Sequence, residues 1–360
     1  MKKQFTFILL LVSSITFGQQ KQQTTPKVEK TILPILLYDP FTGLGYGGLG
    51  NINFLLGDSA TTRYSNAQVI AMRTTKNQIM LQTNHQLFTQ NEKFLIQGKW
   101  MYLDWPENTY ALGGNTAYNK QELITYKAIE IDERFLMKIK KNKTFVGLNY
   151  RLYSCWGLKA LKTNADDFFN TSAVGKPSYV ASGVGFSFVH DSRDNVQNAY
   201  SGNFIELVLN PYLKQLGSTQ NWTNIRFDAR KYVAIKKSRK ILANRLLVEY
   251  ATGNVPYMVL PMPGRYNITR GYVQGRFRGN GLISAETELR YPIYKWLGAV
   301  NFINAHSISN PDNNFNKINL AFGGGIRIML KKSQRTNLRI DYAKGNSNNS
   351  GLYFQITEVF

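Results

Sequence analysis

Cysteine is almost absent from this 360-residue chain, and the single one, Cys155, excludes an internal disulfide framework. It reads as a small apolar strand residue rather than a reactive thiol. Acidic residues are scarce too, with 22 Asp and Glu against 44 Lys and Arg, a formal net charge of +22. That balance favours acidic partners: lipid phosphates, lipopolysaccharide or acidic peptides. No stretch beyond the N-terminus approaches roughly 18 consecutive apolar residues, which excludes membrane-spanning helices. No Gly-x-Ser-x-Gly elbow occurs, so no lipase-like nucleophile is indicated and no enzyme activity is expected. The three histidines, His85, His190 and His306, fall on separate strand-like segments without i, i+2 pairing. Neither a metal site nor a cofactor is expected from them.

What is present begins with a secretory signal over residues 1–18. Lys2 and Lys3 give the basic start, Phe5 to Val12 the apolar run, and Thr16-Phe17-Gly18 a small-x-small exit. Without those two lysines the net charge is +20. For an exported chain, nucleic acid is no partner. A polar tether follows over 19–30, and residues 31–360 form the single domain. The mature chain is rich in aromatics and mildly negative in mean hydropathy, which suits a large soluble β protein or an outer-membrane barrel.

Strand-like segments then succeed one another without a helical period. They lie near 33–38, 45–56, 62–74, 77–89, 92–104, 122–138, 143–156 and 180–191. Eight more lie near 201–213, 219–235, 239–252, 282–293, 297–309, 317–330, 335–344 and 351–360. That makes sixteen, an even number of strands long enough to cross a bilayer at a tilt. The connections alternate in character. Lys138–Lys143, Lys236–Lys240 and Lys331–Arg335 are short and basic, whereas 105–121, 157–179 and 253–281 are long. Short periplasmic turns and long outer loops are the outer-membrane arrangement, and they make 253–281 the sixth outer loop.

Alternation within strands separates an apolar face from a charged one. Ile283, Ala285, Thr287, Leu289 and Tyr291 point one way, and Ser284, Glu286, Glu288 and Arg290 the other. Ile225, Phe227 and Ala229 likewise oppose Arg226, Asp228 and Arg230. A soluble sandwich shows such alternation with its apolar face in a core; a membrane barrel shows it with that face toward lipid. The C-terminal LYFQITEVF decides for the barrel, because Leu352, Phe354, Ile356 and Phe360 alternate to a terminal aromatic, the pattern of a closing strand. Trp100, Trp105, Trp156, Trp222 and Trp296 fall near strand ends, where an interfacial belt belongs. Asp39–Gly43 reads as a plain turn.

These residues resemble the bacterial surface antigen superfamily, which contains BamA/TamA-type assembly barrels, two-partner secretion translocators and patatin-linked barrels. Arg270-Gly271-Tyr272 is similar to that family's Arg-Gly-aromatic signature on the sixth outer loop. Gly275-Arg276-Phe277-Arg278 and Glu288-Leu289-Arg290-Tyr291-Pro292 follow in the family's order. Asp191-Ser192-Arg193-Asp194-Asn195 with Ser201-Gly202 resembles its Asp-x-Arg-Asp turn before a Gly. Gly323-Gly324-Gly325-Ile326-Arg327 and Arg339-Ile340-Asp341-Tyr342 resemble its last strands. The resemblance implies an all-β, single transmembrane antiparallel barrel of about sixteen strands with an inward-folded sixth loop. It also implies that Arg270 meets a carboxylate on the barrel wall. Glu288 stands where the family's partner glutamate stands, and Glu286 shares its face.

Two departures matter. Where many relatives have an Asp, Phe302-Ile303-Asn304-Ala305-His306 carries the neutral Asn304, so the Arg270 clamp is expected to rest on Glu288. Only a dozen or so residues precede the first strand, so the resemblance implies a stand-alone form without periplasmic POTRA modules. The expected function is protein assembly or translocation at the outer membrane, with nascent or unfolded outer-membrane proteins as partners beside lipid and lipopolysaccharide. The alternatives are an anion-preferring small-solute pore and a lipid-handling or structural barrel. Asp191, Arg193, Asp194 and Gly202 read as a turn-stabilising set at the periplasmic rim.

Overall fold

A computed structural model of the chain describes residues 28–39, 43–117, 120–140, 143–162, 177–237, 239–264, 269–332, 335–346 and 349–360. The signal and most of the tether lie outside the described residues, as do residues 40–42 of the first turn. Short apolar–polar alternations separated by polar turns have only one regular way to bury one face, the antiparallel sheet. The strands are β1 (Val28–Asp39), β2 (Gly43–Phe54), β3 (Ser65–Thr74), β4 (Ile79–Phe88), β5 (Phe94–Thr109), β6 (Glu122–Lys140), β7 (Thr144–Lys162) and β8 (Tyr179–Asp191). They continue as β9 (Gly202–Tyr212), β10 (Trp222–Ala234), β11 (Ile241–Gly253), β12 (Gly281–Pro292), β13 (Leu297–Ile308), β14 (Asn319–Lys331), β15 (Thr336–Gly345) and β16 (Ser350–Ile356). Each pairs with its neighbours in the chain, giving one 16-stranded sheet ordered β1 to β16.

The sheet curves until β16 comes beside β1. Among the described residues no ladder of backbone hydrogen bonds joins these two end strands. One face of the sheet is polar and buried, the other apolar and exposed. On β12, Ser284, Glu286, Glu288 and Arg290 are buried while Ile283 and Leu289 are exposed. The buried charges are compensated. Asp228, fully buried, accepts from Arg230 and Arg245 at 2.8 and 2.7 Å. Such pairing is what makes buried charge tolerable, since losing either partner strands the other.

Three boundaries differ from the sequence reading. β1 begins at Val28, so the last residues assigned to the tether already pair with β2, Val28 opposite Phe54. β5 and β7 run on to Thr109 and Lys162, shortening the two outer loops that follow them. β16 stops at Ile356. Thr357 takes a left-handed backbone (φ 77°), and Phe360 is buried inside the barrel rather than on a closing strand. Phe354 and Ile356 do lie on β16, opposite Ile340 and Leu338. Phe360 instead meets Tyr232 (ring centroids 6.3 Å apart), Arg245 and Arg290, and the Arg290 guanidinium donates to its carbonyl at 2.9 Å.

Candidate functional site

The loop between β11 and β12 places its charged residues on the polar face of the sheet. Ile268 lies outside the described residues; Thr269 and Arg270 are buried. One guanidinium nitrogen of Arg270 donates to both Glu286 and Glu288 of β12. The other donates to Asp341 of β15 at 2.6 Å. The guanidinium carbon sits 3.4 Å from the ring centre of Phe302, so the cation is stacked as well as paired. A planar fork suits this arrangement, because it reaches carboxylates on two walls while its face stays free for the aromatic ring.

The surrounding strands hold these acids in place. Glu288 accepts from Arg290 at 2.7 Å, and Asp341 from Arg327 at 2.5 Å and Arg339 at 3.2 Å. Room for Asp341 comes from Gly325 on β14, where an added Cβ would fall 2.0 Å from an Asp341 oxygen. The loop backbone is tied down too. Asn304 donates from its amide to the Arg270 carbonyl at 3.1 Å, and the Gly271 N–H donates to the Tyr353 hydroxyl at 2.8 Å. Tyr272 donates to the Leu320 carbonyl at 2.7 Å and stands edge-on to His306, 4.5 Å between ring centres.

The structure brings together Arg270, Gly271, Tyr272, Glu286 and Glu288, and adds Asp341 to the contact expected of Glu288. Glu286 and Asp341 share it, and Asn304 holds the backbone rather than leaving a gap. Asp341 escaped the sequence reading as a partner because β15 and β12 are not sheet neighbours. A second anchor was missed altogether. Arg278, fully buried and stacked on Tyr257 (4.7 Å), donates to Glu107 of β5 at 2.5 Å, while Arg276 donates to the Thr116 hydroxyl at 2.5 Å.

At the opposite, short-turn end, Asp191 accepts twice from Arg193, at 2.8 and 3.0 Å, and Arg63 stands 3.8 Å away. Asp194 does more than fix its own turn. It accepts from the Tyr200 and Ser201 N–H groups at 2.8 and 3.2 Å, and from Arg335 on the β14–β15 turn at 2.6 Å. Partial burial works to raise its carboxyl pKa, but the Arg335 bond and the two N–H donors outweigh it and hold the value low. The same segment joins β15 through Thr336 and Gln197 (2.9 Å) and packs Ala199 with Tyr232, Ile241 and Phe360. Residues 192–201 thus form a strap across this mouth, ending at Gly202 on β9.

His85, His190 and His306 stand on β4, β8 and β13. Of the tryptophans, Trp222 departs from the expected belt: it is buried on the polar face and stacked on Tyr212, 3.9 Å between ring centres. Trp100 lies within β5 and is half exposed on the apolar face.

Comparison with known proteins accords with this architecture. No curated protein matches the sequence significantly. Among solved structures, BamA from Haemophilus ducreyi, determined without its POTRA domains 1–3, is 13% identical with a TM-score of 0.62, over 92% of this chain and 70% of that one. CdiB from Escherichia coli gives a TM-score of 0.61 at 9% identity, and CdiB from Acinetobacter baumannii 0.56 at 11%. This chain is covered to 93% in both, but spans only 63% and 60% of those proteins. These likenesses are of fold. The sequence itself matches the Omp85 superfamily domain over residues 61–360, and the chain belongs to the Omp85 superfamily of outer-membrane β-barrels.

Proposed function

We propose that this protein assists the insertion or translocation of other outer-membrane proteins, working at the seam between β1 and β16. The observation that carries the reading is that, among the described residues, no ladder joins these strands. An edge strand is a template for a further strand, and here the edges of β1 and β16 face each other within one barrel without a ladder among the described residues. β16 is the weaker of the two, with seven residues against the twelve of β1.

In this reading the signal of residues 1–18 is cleaved after export and the short turns face the periplasm. Arg270, Gly271, Tyr272, Glu286 and Glu288 clamp the sixth outer loop to the wall, joined by Asp341. The clamp gives the seam a fixed frame to open against. Asp191, Arg193, Asp194 and Gly202 fix the periplasmic strap, and Phe354 and Ile356 form the lipid-facing end of the seam strand. The partners are unfolded outer-membrane proteins, with lipid and lipopolysaccharide around the barrel.

Depletion of the protein followed by quantitative outer-membrane proteomics tests the reading. Loss of a defined set of barrels is the expected result. An unchanged barrel profile with altered solute uptake would instead favour the anion-preferring pore.

A further inference from the structure

One row of polar side chains crosses the apolar outward face of β9–β12. In the sheet register Lys231 of β10 stands between Asn203 of β9 and Asn244 of β11, and Asn244 stands beside Thr287 of β12. The Thr287 hydroxyl donates to the Asn244 side-chain carbonyl at 2.9 Å, which leaves the Asn244 amide nitrogen as a donor. Lys231 is exposed and has no ion pair or hydrogen bond to a side chain among the described residues. The exposed side chain of Asn203 has none either. The row thus offers one cation and two amide donors.

The residues around the row face lipid. Ile205 and Leu207 on β9, Ile225 and Val233 on β10, Leu246 on β11 and Leu289 on β12 are all exposed on that side. Arg230, next to Lys231 in sequence, points inward to Asp228. No Asp or Glu occupies an outward position on these four strands or any position of the turn at 235–240. That turn is basic instead, with Lys236, Arg239 and Lys240 exposed. On the next short turn Lys295 stands between Tyr294 and Trp296, both more than half exposed, as at a membrane interface. Lys231 lies three residues before the end of β10, roughly 10 Å of strand from the turn. Its flexible stem covers much of that distance and brings the ammonium to the headgroup boundary. A cation on this face, with no carboxylate beside it, is met by an anion that the membrane supplies.

We propose that this row binds the phosphate of an anionic phospholipid in the leaflet at the short-turn end. Lys231 meets the phosphate charge, Asn203 and Asn244 donate to its other oxygens, and the acyl chains lie along Leu207, Ile225 and Leu246. Lys236, Arg239 and Lys240 select a headgroup of net negative charge, because an ammonium headgroup would set a further cation against three. Free phosphate is a poorer occupant, since it brings no chains to the apolar residues beside the row. A second copy of this wall is poorer too, since it brings no carboxylate to Lys231.

Native mass spectrometry of the full chain, released from nanodiscs of mixed phosphatidylglycerol and phosphatidylethanolamine, tests this. The parent is expected to retain phosphatidylglycerol in preference. Lys231→Leu keeps the face apolar and should fold, as its heat-dependent gel mobility will report. It is expected to weaken that retention about fivefold, and Lys231→Arg to preserve it. Lys127→Leu makes the same charge change on the outward face of β6, toward the long loops, and should leave retention unchanged. A parent with no preference between the two lipids overturns the proposal. So does a folded Lys231→Leu protein that retains as much, or an equal loss in Lys127→Leu, which would be an effect of bulk charge. Displacement of the lipid by millimolar inorganic phosphate would overturn it as well, since the site would then read the anion alone.

Discussion

Arg270 joins two strands that do not touch in the sheet: it donates to Asp341 of β15 at 2.6 Å and, with its other nitrogen, to Glu286 and Glu288 of β12. One loop residue thereby links strands that β13 and β14 separate in the sheet. Its removal leaves three buried carboxylates sharing fewer cations. Arg270→Ala is expected to destabilise the barrel by about 3–5 kcal/mol and free the loop. Arg270→Lys should recover only part of this, since a single ammonium cannot fork between two walls. Denaturant unfolding and limited proteolysis within residues 254–280 will measure both; unchanged cleavage in Arg270→Ala would contradict the clamp.

Asn304 makes a prediction that runs against the family pattern. Its amide donates to the Arg270 carbonyl. An aspartate there removes the donor and sets two acceptors together. Asn304→Asp is therefore expected to cost about 1–3 kcal/mol rather than to strengthen the clamp. A gain in stability on unfolding would show that the side chain turns to the guanidinium instead.

How much of this was legible in the sequence varies with the range of the interaction. Alternation is local, so Ser284 to Arg290 could be assigned to one face from the residues alone. Parity and loop lengths followed from order along the chain, and the Arg270–Glu288 pairing from the family resemblance. Asp341 did not, because its approach depends on the curvature of the whole sheet. Phe360 misled for the same reason. Its period-two spacing from Ile356 says strand, while a left-handed Thr357 and the stacking partners Arg245 and Arg290 draw it inside.

The buried tail gives a third test. If Phe360 closed the last strand from outside, its loss would weaken mainly the seam. Inside, it packs against Tyr232 and Arg290. Phe360→Ala is expected to lower stability by about 3 kcal/mol and to expose the Tyr232 ring to quenchers. No change in quenching would place the ring elsewhere.

The strap should resist acid. The Asp194 carboxyl is held low in the folded protein. Its contribution is therefore full above about pH 4, the unfolded value, and is lost only as pH falls through the lower folded one. Asp194 and Arg335 are each about a third exposed, 30% of either side chain, so their pairing contributes no more than about 1 kcal/mol. Asp194→Asn is expected to lose that increment at neutral pH and to flatten this part of the acid profile. Hydrogen exchange at the Tyr200 and Ser201 amides will report it; protection identical to the parent at pH 7 would contradict the assignment.

The central claim, that the unladdered seam serves other membrane proteins, is tested most directly by insertion kinetics in liposomes. An unrelated, urea-unfolded outer-membrane barrel is added to vesicles with or without the purified protein, and its folding is followed by protease protection. The account predicts faster insertion with the protein present, lost when β1 and β16 are cross-linked to each other. Equal rates with and without the protein, or acceleration that survives the cross-link, would contradict it.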